Sequence, residues 1–511
     1  MKRALAAHQA GDLPAAEQIY RAILEAEPAD FDALHMLGVL EAQRQRYDSA
    51  HLLIGRALAG NPRSAMAHSN RGYVLVAMNR PAEALASLET ALALDPAYDE
   101  ALNNRGNALQ ALGRHAEALR SYEQALAVRP DWPEAMKNLG NVQHLLGRYE
   151  AALATYGRVL ALRPGYREAL NDRGAACYQL GLYKEALDDY AAAQAVDPAY
   201  AEAHWNEGIC RLLLGDYARG WEKYEWRWRN DKLKLPPRAF AQPLWLGTED
   251  LRGRSILLHA EQGLGDAIHF VRYAARVAAL GADVTLETFP EIAPLMASLD
   301  GVNRVIARGA PLPQTDFHCP LLSLPLAFAT IPETIPAPVP YLSVREEAAA
   351  AWRARLAKGG DRLVGVCWRG SKNYGGDAER SIAFADFAPL LSVPGFRFFS
   401  LQKELTGEER RLADGLPLIH GGGSFNDTAE MVAALDLVIS VDTVWAHWAG
   451  AIGKPFWLLL PHTPHWVWLT GREDSPWYPT ARLFRQARTG AGWESVIRDV
   501  KIELAKQPDT V

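Results

Sequence analysis

The chain is poor in cysteine, and no sign of charge dominates it. Cys177, Cys210, Cys319 and Cys367 stand far apart among 511 residues. They are not spaced as metal ligands or as a disulfide framework, and such sparse cysteine fits a reducing cytosol. The formal charge of -6 is mild, and lysine and arginine form no long block. That argues against a dedicated nucleic-acid binder. No apolar run approaches the roughly 20 residues that cross a bilayer. The opening MKRALAAHQAGD lacks an apolar core and does not read as a secretory signal. These absences lead to an expected cytoplasmic location without a membrane span. A hydrophobic content of 49% over this length is ample for two to four packed domains.

What is present is a period. Gly38, Gly72, Gly106, Gly140, Gly174 and Gly208 stand 34 residues apart, and Pro28, Pro62, Pro96, Pro130, Pro164 and Pro198 keep the same step. A fixed period of this length means a stacked array, and this pattern resembles the tetratricopeptide repeat. Each unit reads as two helices. The glycine lets helix A approach helix B, and Ala50, Ala84, Ala118, Ala152 and Ala186 supply a small facing surface. The proline ends the unit, since it cannot continue a helix. Gly11, Ala16, Tyr20 and Pro28 form a weaker first copy, as expected of a cap. Such arrays present long concave surfaces that hold other polypeptides.

One recurring position is not explained by packing. Asn70, Asn104, Asn138, Asp172 and Asn206 each stand two residues before a repeat glycine, and Asn107 and Asn141 add a second amide one turn on. Asparagine is a mediocre helix former. A column of side-chain amides can grip the backbone of an extended peptide whatever its sequence, because each amide both donates and accepts. The array of eukaryotic O-linked N-acetylglucosamine transferases carries a similar ladder. The competing reading is a repeat consensus that serves local hydrogen bonding.

Trp221, Tyr224, Trp226 and Trp228 crowd the last helix and read as a seat for the following domain. Pro236, Pro237 and Pro243 then forbid regular helix. From residue 255 short apolar runs alternate with helical stretches: SILLHA, ADVTLET and NRVIA, then LVGVCW, FRFFSL, LPLIH, DLVISV, PFWLLL and ARLFRQ. This alternation predicts parallel sheets with helices on both faces, in two Rossmann-like lobes. The expected organisation is a helical array over 1–230, a linker over 231–254, a first lobe over 255–345 and a second over 346–511.

Ligands of such sheets bind beyond the carboxyl ends of the strands, so the loops there are the candidates. AEQGLGDAIHF offers Gly263, Gly265 and Asp266 but lacks the third glycine of a dinucleotide fingerprint. WRGSKNYGGDAERS offers Arg369, Lys372 and Arg380, suited to phosphate or carboxylate. In HGGGSFNDTAEM, Asn426 or Asp427 is the expected helix cap, with Glu430 completing a capping box from Asp427. DLVISVDTVWAHWAGAIGKP is strand, helix, strand. Its Asp442 and Thr443 sit where the helix begins, a ready phosphate site, and His447 shares the face of Thr443. His462 and His465 have no third metal ligand beside them. Trp466, Trp468, Trp477 and Tyr478 suit either sugar stacking or a contact between lobes.

G-L-G-D-A-I-H and D-T-V-W-A-H-W-A-G-A-I-G-K-P resemble the matching segments of heptosyltransferase-type glycosyltransferases, which have the GT-B fold. The resemblance covers 255 to about 490. It implies Asp266 as general base, with Gly265, Asp442, Thr443 and His447 at the donor's phosphates. It also implies a basic residue from the second lobe's first loop: Arg369, Lys372 or Arg380. The family has a lysine before an aromatic there, whereas this chain has Arg380-Ser381-Ile382. Repeats followed by such a half resemble O-linked N-acetylglucosamine transferases and the bacterial repeat-containing transferases that modify flagellin. The implied activity is metal-independent, inverting protein O-glycosylation, with a nucleotide-sugar co-substrate and no further cofactor. The acceptor, flagellin or another protein, would lie on the array. Two other readings stay open: an adaptor or chaperone with a degenerate transferase fold, and a glycan or lipopolysaccharide transferase.

Overall fold

The 34-residue step becomes a helix pair. A computed structural model describes residues 1–235, 238–358, 360–371, 376–420 and 423–507. Phe31–Gln43 pairs with Tyr47–Gly60, Ala65–Ala77 with Pro81–Leu94, Asp99–Ala111 with His115–Val128, and Pro133–Leu145 with Tyr149–Leu162. Lys2–Gln9 and Leu13–Ala26 form the leading copy. The first column of glycines has the expected role. A Cβ on Gly72 would lie 2.4 Å from Leu88, on Gly106 2.4 Å from Tyr122, and on Gly140 2.5 Å from Tyr156. The facing alanines at 50, 84, 118, 152 and 186 are fully buried.

A second column, passed over in the sequence, governs the turn inside each pair. Gly11, Gln45, Asn79, Gly113, Gly147, Gly181 and Gly215 keep the same period and all have φ between 58° and 81°. This is the left-handed conformation that ends a helix, where glycine carries no Cβ penalty.

The chain divides into two compact units, one of Met1–Cys177 with Ala195–Asp197 and one of Tyr178–Gln194 with Pro198–Val511. The second unit includes the Ala201–Leu213 and Tyr217–Tyr224 helices together with an α/β region. Trp221 donates its indole N–H to the Thr330 carbonyl at 2.9 Å. Tyr224 meets the edge of Trp466, and the Trp477 indole donates to the Tyr217 hydroxyl at 3.0 Å. Trp221 and Tyr224 therefore seat the α/β region as expected. Trp226 instead stacks on His204 at 3.9 Å, and Trp228 stays 40% exposed.

The described residues of 231–254 include a 3-10 turn, Asp231–Leu233, and Leu244 then bridges in parallel to His318. Pro236 and Pro237 lie outside the described residues.

Two parallel sheets follow. The smaller has β1 (Ser255–His259), β2 (Asp283–Thr288), β3 (Arg304–Ala307) and β4 (Phe317–Pro320) in the order β3-β2-β1-β4. The larger has β5 (Arg362–Cys367), β6 (Phe396–Ser400), β7 (Leu418–His420), β8 (Leu437–Val441), β9 (Phe456–Leu460) and β10 (Ala481–Arg485) in the order β10-β9-β8-β5-β6-β7. Register runs Ile256↔Val284 in the first and Val366↔Ile439 in the second. Strands β8 and β9 are buried throughout, as sheets covered on both faces require. All nine expected strands form, and β4, whose FHCP carries no clear strand pattern, is an addition.

The cap of the Phe425–Ala434 helix differs from expectation. Ser424, not Asn426 or Asp427, is the cap. Its hydroxyl accepts from the Asp427 N–H at 3.2 Å, and the Asp427 carboxylate accepts from the Ser424 N–H at 2.8 Å. The start lies earlier because Ser424 and Asp427 form the reciprocal capping box. Among the described residues no helix is long and apolar enough to cross a membrane.

Candidate functional site

Strand order reverses between β1 and β4 in one sheet and between β5 and β8 in the other. At such a point adjacent loops leave in opposite directions and open a crevice beyond the carboxyl ends. Three of the four loops singled out from sequence leave from β1, β5 and β8; the fourth, HGGGSFNDTAEM, follows β7 at the edge of the larger sheet.

After β1 the chain passes Gly263 into the Leu264–Phe270 helix. Asp266 stands in its first turn, half-buried, and one carboxylate oxygen accepts the Gly263 N–H at 3.0 Å. The carboxylate thus closes the helix start. Gly265 is required by a close approach. A Cβ there would lie 2.9 Å from His447 Cδ2, so the helix after β1 and the Val444–Ala451 helix after β8 meet at this glycine.

After β8, Asp442 and Thr443 lead into Val444–Ala451, with Thr443 as N-cap in extended backbone. The Thr443 hydroxyl shares a hydrogen bond with Ser440 at 2.8 Å. His447 is buried. Its Nδ1 lies 3.0 Å from the Tyr478 hydroxyl, and its Nε2 lies 3.6 Å from Asp442 Oδ1. Burial lowers its pKa to about 4, against the opposing pull of the Asp442 and Asp266 carboxylates. It is a neutral imidazole near neutral pH.

The three basic candidates fare differently. Arg380 reaches the same corner: its Nη1 donates to the Asp442 carbonyl at 2.7 Å, and Asp377 holds its Nε at 3.2 Å. Gly370 makes room for it, since a Cβ there would lie 2.4 Å from an Arg380 guanidinium nitrogen. Arg369 is committed elsewhere, in an ion pair with Glu409 at 2.8 Å. Hydrogen bonds from Arg369, the Thr406 N–H and the Trp368 indole outweigh partial burial and hold that carboxyl down at about 2. Lys372 lies outside the described residues. Gly265, Asp266, Arg380, Asp442, Thr443 and His447 therefore converge.

Three groups at this corner have roles that the sequence does not signal, although Tyr478 stands among the tail aromatics read as stacking or contact residues. Tyr478 reaches both His447 and His269, the latter at 2.8 Å to Nδ1. Arg272 lies over the Tyr478 ring at 4.5 Å and donates to the Tyr341 hydroxyl at 2.9 Å. His269 stands one turn after Asp266, but nothing in GLGDAIHF separates it from a packed core residue. Trp466, Trp468, Trp477 and Tyr478 are all fully buried, so they belong to packing between elements rather than to an open stacking surface. His462 lies against the Gly181 turn. Among the described residues no group of three or more His, Cys, Asp or Glu is placed to hold a metal ion.

On the array, the amide column ties one repeat to the next. Asn70 Nδ2 meets His35 Nε2 at 2.9 Å, Asn104 Nδ2 donates to Ser69 at 3.3 Å, and Asn138 Nδ2 donates to Asn103 at 3.2 Å. Among the described residues the carbonyl oxygens of Asn70, Asn104 and Asn138 take no hydrogen bond. Asn141, with its amide nitrogen turned to Asp172, donates to that carboxylate at 3.0 Å. Asn206, on the Ala201–Leu213 helix of the second unit, is half-buried.

Comparison with known proteins places the helical half in a class. Tetratricopeptide-repeat family profiles match residues 1–65, 72–113, 98–165, 146–200 and 178–225. The N-terminal part of the chain is a tetratricopeptide-repeat array, and an α/β region with parallel sheets follows it. Protein FlbA of Caulobacter vibrioides is 29% identical over 320 residues, 56% of this chain and 52% of that protein. The chain thus spans about half the length of this curated relative. Among solved structures, PilW, a type IV pilus biogenesis factor, is 25% identical over 40% of this chain and 94% of its own, with a TM-score of 0.37. A tetratricopeptide repeat protein from Parabacteroides merdae is 19% identical over 44% of this chain and 89% of its own, with a TM-score of 0.37.

Proposed function

We propose that the chain is a protein O-glycosyltransferase whose α/β region is a GT-B-like pair of lobes. The observation that carries the proposal is the convergence of Gly265 and Asp266 from the β1 loop with Arg380, Asp442, Thr443 and His447 from the larger sheet. The helix start at Thr443 and the Arg380 guanidinium suit the phosphates of a nucleotide-sugar. Neutral His447 adds a polar group beside them. Asp266 takes the proton of an acceptor hydroxyl as it attacks the anomeric carbon and the bond to the nucleotide phosphate breaks. Basic side chains and the helix start then stabilise the departing phosphate without a cation.

The acceptor is proposed to be a polypeptide, flagellin or another protein, held along the asparagine column. The free carbonyl oxygens of Asn70, Asn104 and Asn138 would accept backbone N–H groups of an extended chain. Each such bond contributes about 1 kcal/mol net. Replacing the three together by alanine is expected to weaken acceptor binding by about a hundredfold, read by titration calorimetry with the fold checked by circular dichroism. Because the same amides link repeats, a modest loss of thermal stability accompanies it. Acceptor affinity unchanged in a folded variant would favour a small glycan acceptor and discard the peptide ladder.

A further inference from the structure

The Tyr478 hydroxyl stands between two imidazoles, 2.8 Å from His269 Nδ1 and 3.0 Å from His447 Nδ1. One hydroxyl carries one proton. The Tyr341 hydroxyl, 3.5 Å away, is a poorer acceptor for it than either ring, and it already accepts from Arg272 at 2.9 Å. The Tyr478 proton therefore goes to one imidazole and the other imidazole donates to Tyr478. His269 decides the direction. It is fully buried and its Nε2 has no partner among the described residues. A buried N–H left without an acceptor is rarer in native structures than an unfilled lone pair. His269 therefore carries its proton on Nδ1 and donates it to Tyr478. The Tyr478 O–H is then free to donate to His447 Nδ1, and the His447 proton is left on Nε2.

We infer that Tyr478, oriented by His269, is a positioning residue that fixes His447 as its Nε2–H tautomer. The site around the free end agrees. Nε2 lies 3.6 Å from Asp442 Oδ1, outside hydrogen-bond reach but close enough for the carboxylate to favour an N–H there. The Cδ2–Nε2 edge faces Gly265, where a Cβ would stand 2.9 Å from Cδ2 and 3.6 Å from Nε2. The donor is thus turned toward the junction of the β1 and β8 loops. Arg272 fixes the other end of the chain. It lies over the Tyr478 ring at 4.5 Å, donates to the Trp477 carbonyl at 2.6 Å and reaches the Tyr341 hydroxyl at 2.9 Å. A cation in that place also disfavours a second positive charge on either imidazole.

The tautomer itself stands on geometry. Only its consequence, a ready N–H donor for the departing phosphate, rests on the transferase reading. The test is long-range proton–nitrogen correlation NMR on the full chain labelled with nitrogen-15 histidine. Signals are assigned by their loss in His447→Gln and His269→Gln. In the native protein His447 is expected almost wholly as Nε2–H and His269 as Nδ1–H. In Tyr478→Phe the His447 ratio should collapse by about tenfold toward a mixture. A native His447 protonated on Nδ1, or a ratio unchanged in Tyr478→Phe, would overturn the inference. The native spectrum decides even if that variant does not fold. Where transfer is measurable, Tyr478→Phe should lower kcat and spare KM. The expected tautomers in a protein that binds no nucleotide would sink the transferase reading and leave this one standing.

Discussion

Asp266→Asn is expected to stop sugar transfer while nucleotide binding persists. The carboxylate has one structural task at this position and a second that the proposed mechanism gives it. One oxygen caps the helix start by accepting the Gly263 N–H at 3.0 Å. An asparagine carbonyl oxygen takes over that bond with the same shape, so the Leu264–Phe270 helix keeps its start. The second task, taking a proton from the acceptor hydroxyl, needs a base that the neutral amide cannot supply. General-base catalysis is worth about 10²–10⁴-fold, so kcat should fall by about three orders of magnitude. In the proposed site the nucleotide is held at Arg380 and Thr443, so its dissociation constant should change less than about twofold. A variant that transfers sugar at near the native rate would remove Asp266 from the mechanism.

Acidification should destabilise the second unit steeply between pH 6.5 and 4.5. Burial lowers five of its imidazoles, and His204 and His318, lowered without a large shift, act in the same direction as the three that are displaced furthest. His447 is lowered to about 4 and His259 to about 2, and His269 is pushed well below its ordinary value. In the unfolded chain all three titrate near about 6.5. Within the window unfolding therefore takes up about three protons. Glu261 works the other way. Burial outweighs its partner Arg227 and raises its carboxyl to about 7. It is protonated when folded and releases that proton on unfolding. The net uptake is about two protons, the unfolded state binds more of them, and stability rises with pH by linkage. The loss on going from pH 6.5 to 4.5 is on the order of 4 kcal/mol. Calorimetric unfolding across this range should show a falling transition temperature. A flat profile, or a transition that rises on acidification, would show that these histidines are charged in the folded protein.

The array was legible because repetition multiplies a weak signal. One glycine or one alanine says little, but the same residue every 34 positions leaves no other reading. The left-handed turn column escaped notice because Gln45 and Asn79 occupy it in two repeats, and only the backbone shows that they share the glycine conformation. Nine strands could be read because buried parallel strands are short, continuous apolar runs. FHCP could not, being four residues with histidine and proline among them. The convergence of Asp266 with His447 was within reach of motif reasoning, since both stand where a strand meets a helix. Arg369 and Arg380 were indistinguishable in sequence. They are separated only by Glu409, a residue of the Gly407–Ala413 helix that captures the first. Tyr478 reads in sequence only as one of four tail aromatics and His269 only as the end of G-L-G-D-A-I-H, so their pairing could not be found. Their meeting joins positions 209 apart, and each alone resembles a core aromatic.

The measurement that bears most directly on the central claim is thermal stability of the full chain against a panel of nucleotides: UDP, GDP, ADP and CMP with their common sugar conjugates. A ligand that binds only the folded state stabilises it by about 2.7 kcal/mol at a hundredfold excess over its dissociation constant. The account predicts that one nucleotide class raises the transition temperature, and that Arg380→Ala and Thr443→Val each diminish the rise. No response to any nucleotide, or a response untouched by both substitutions, would contradict it.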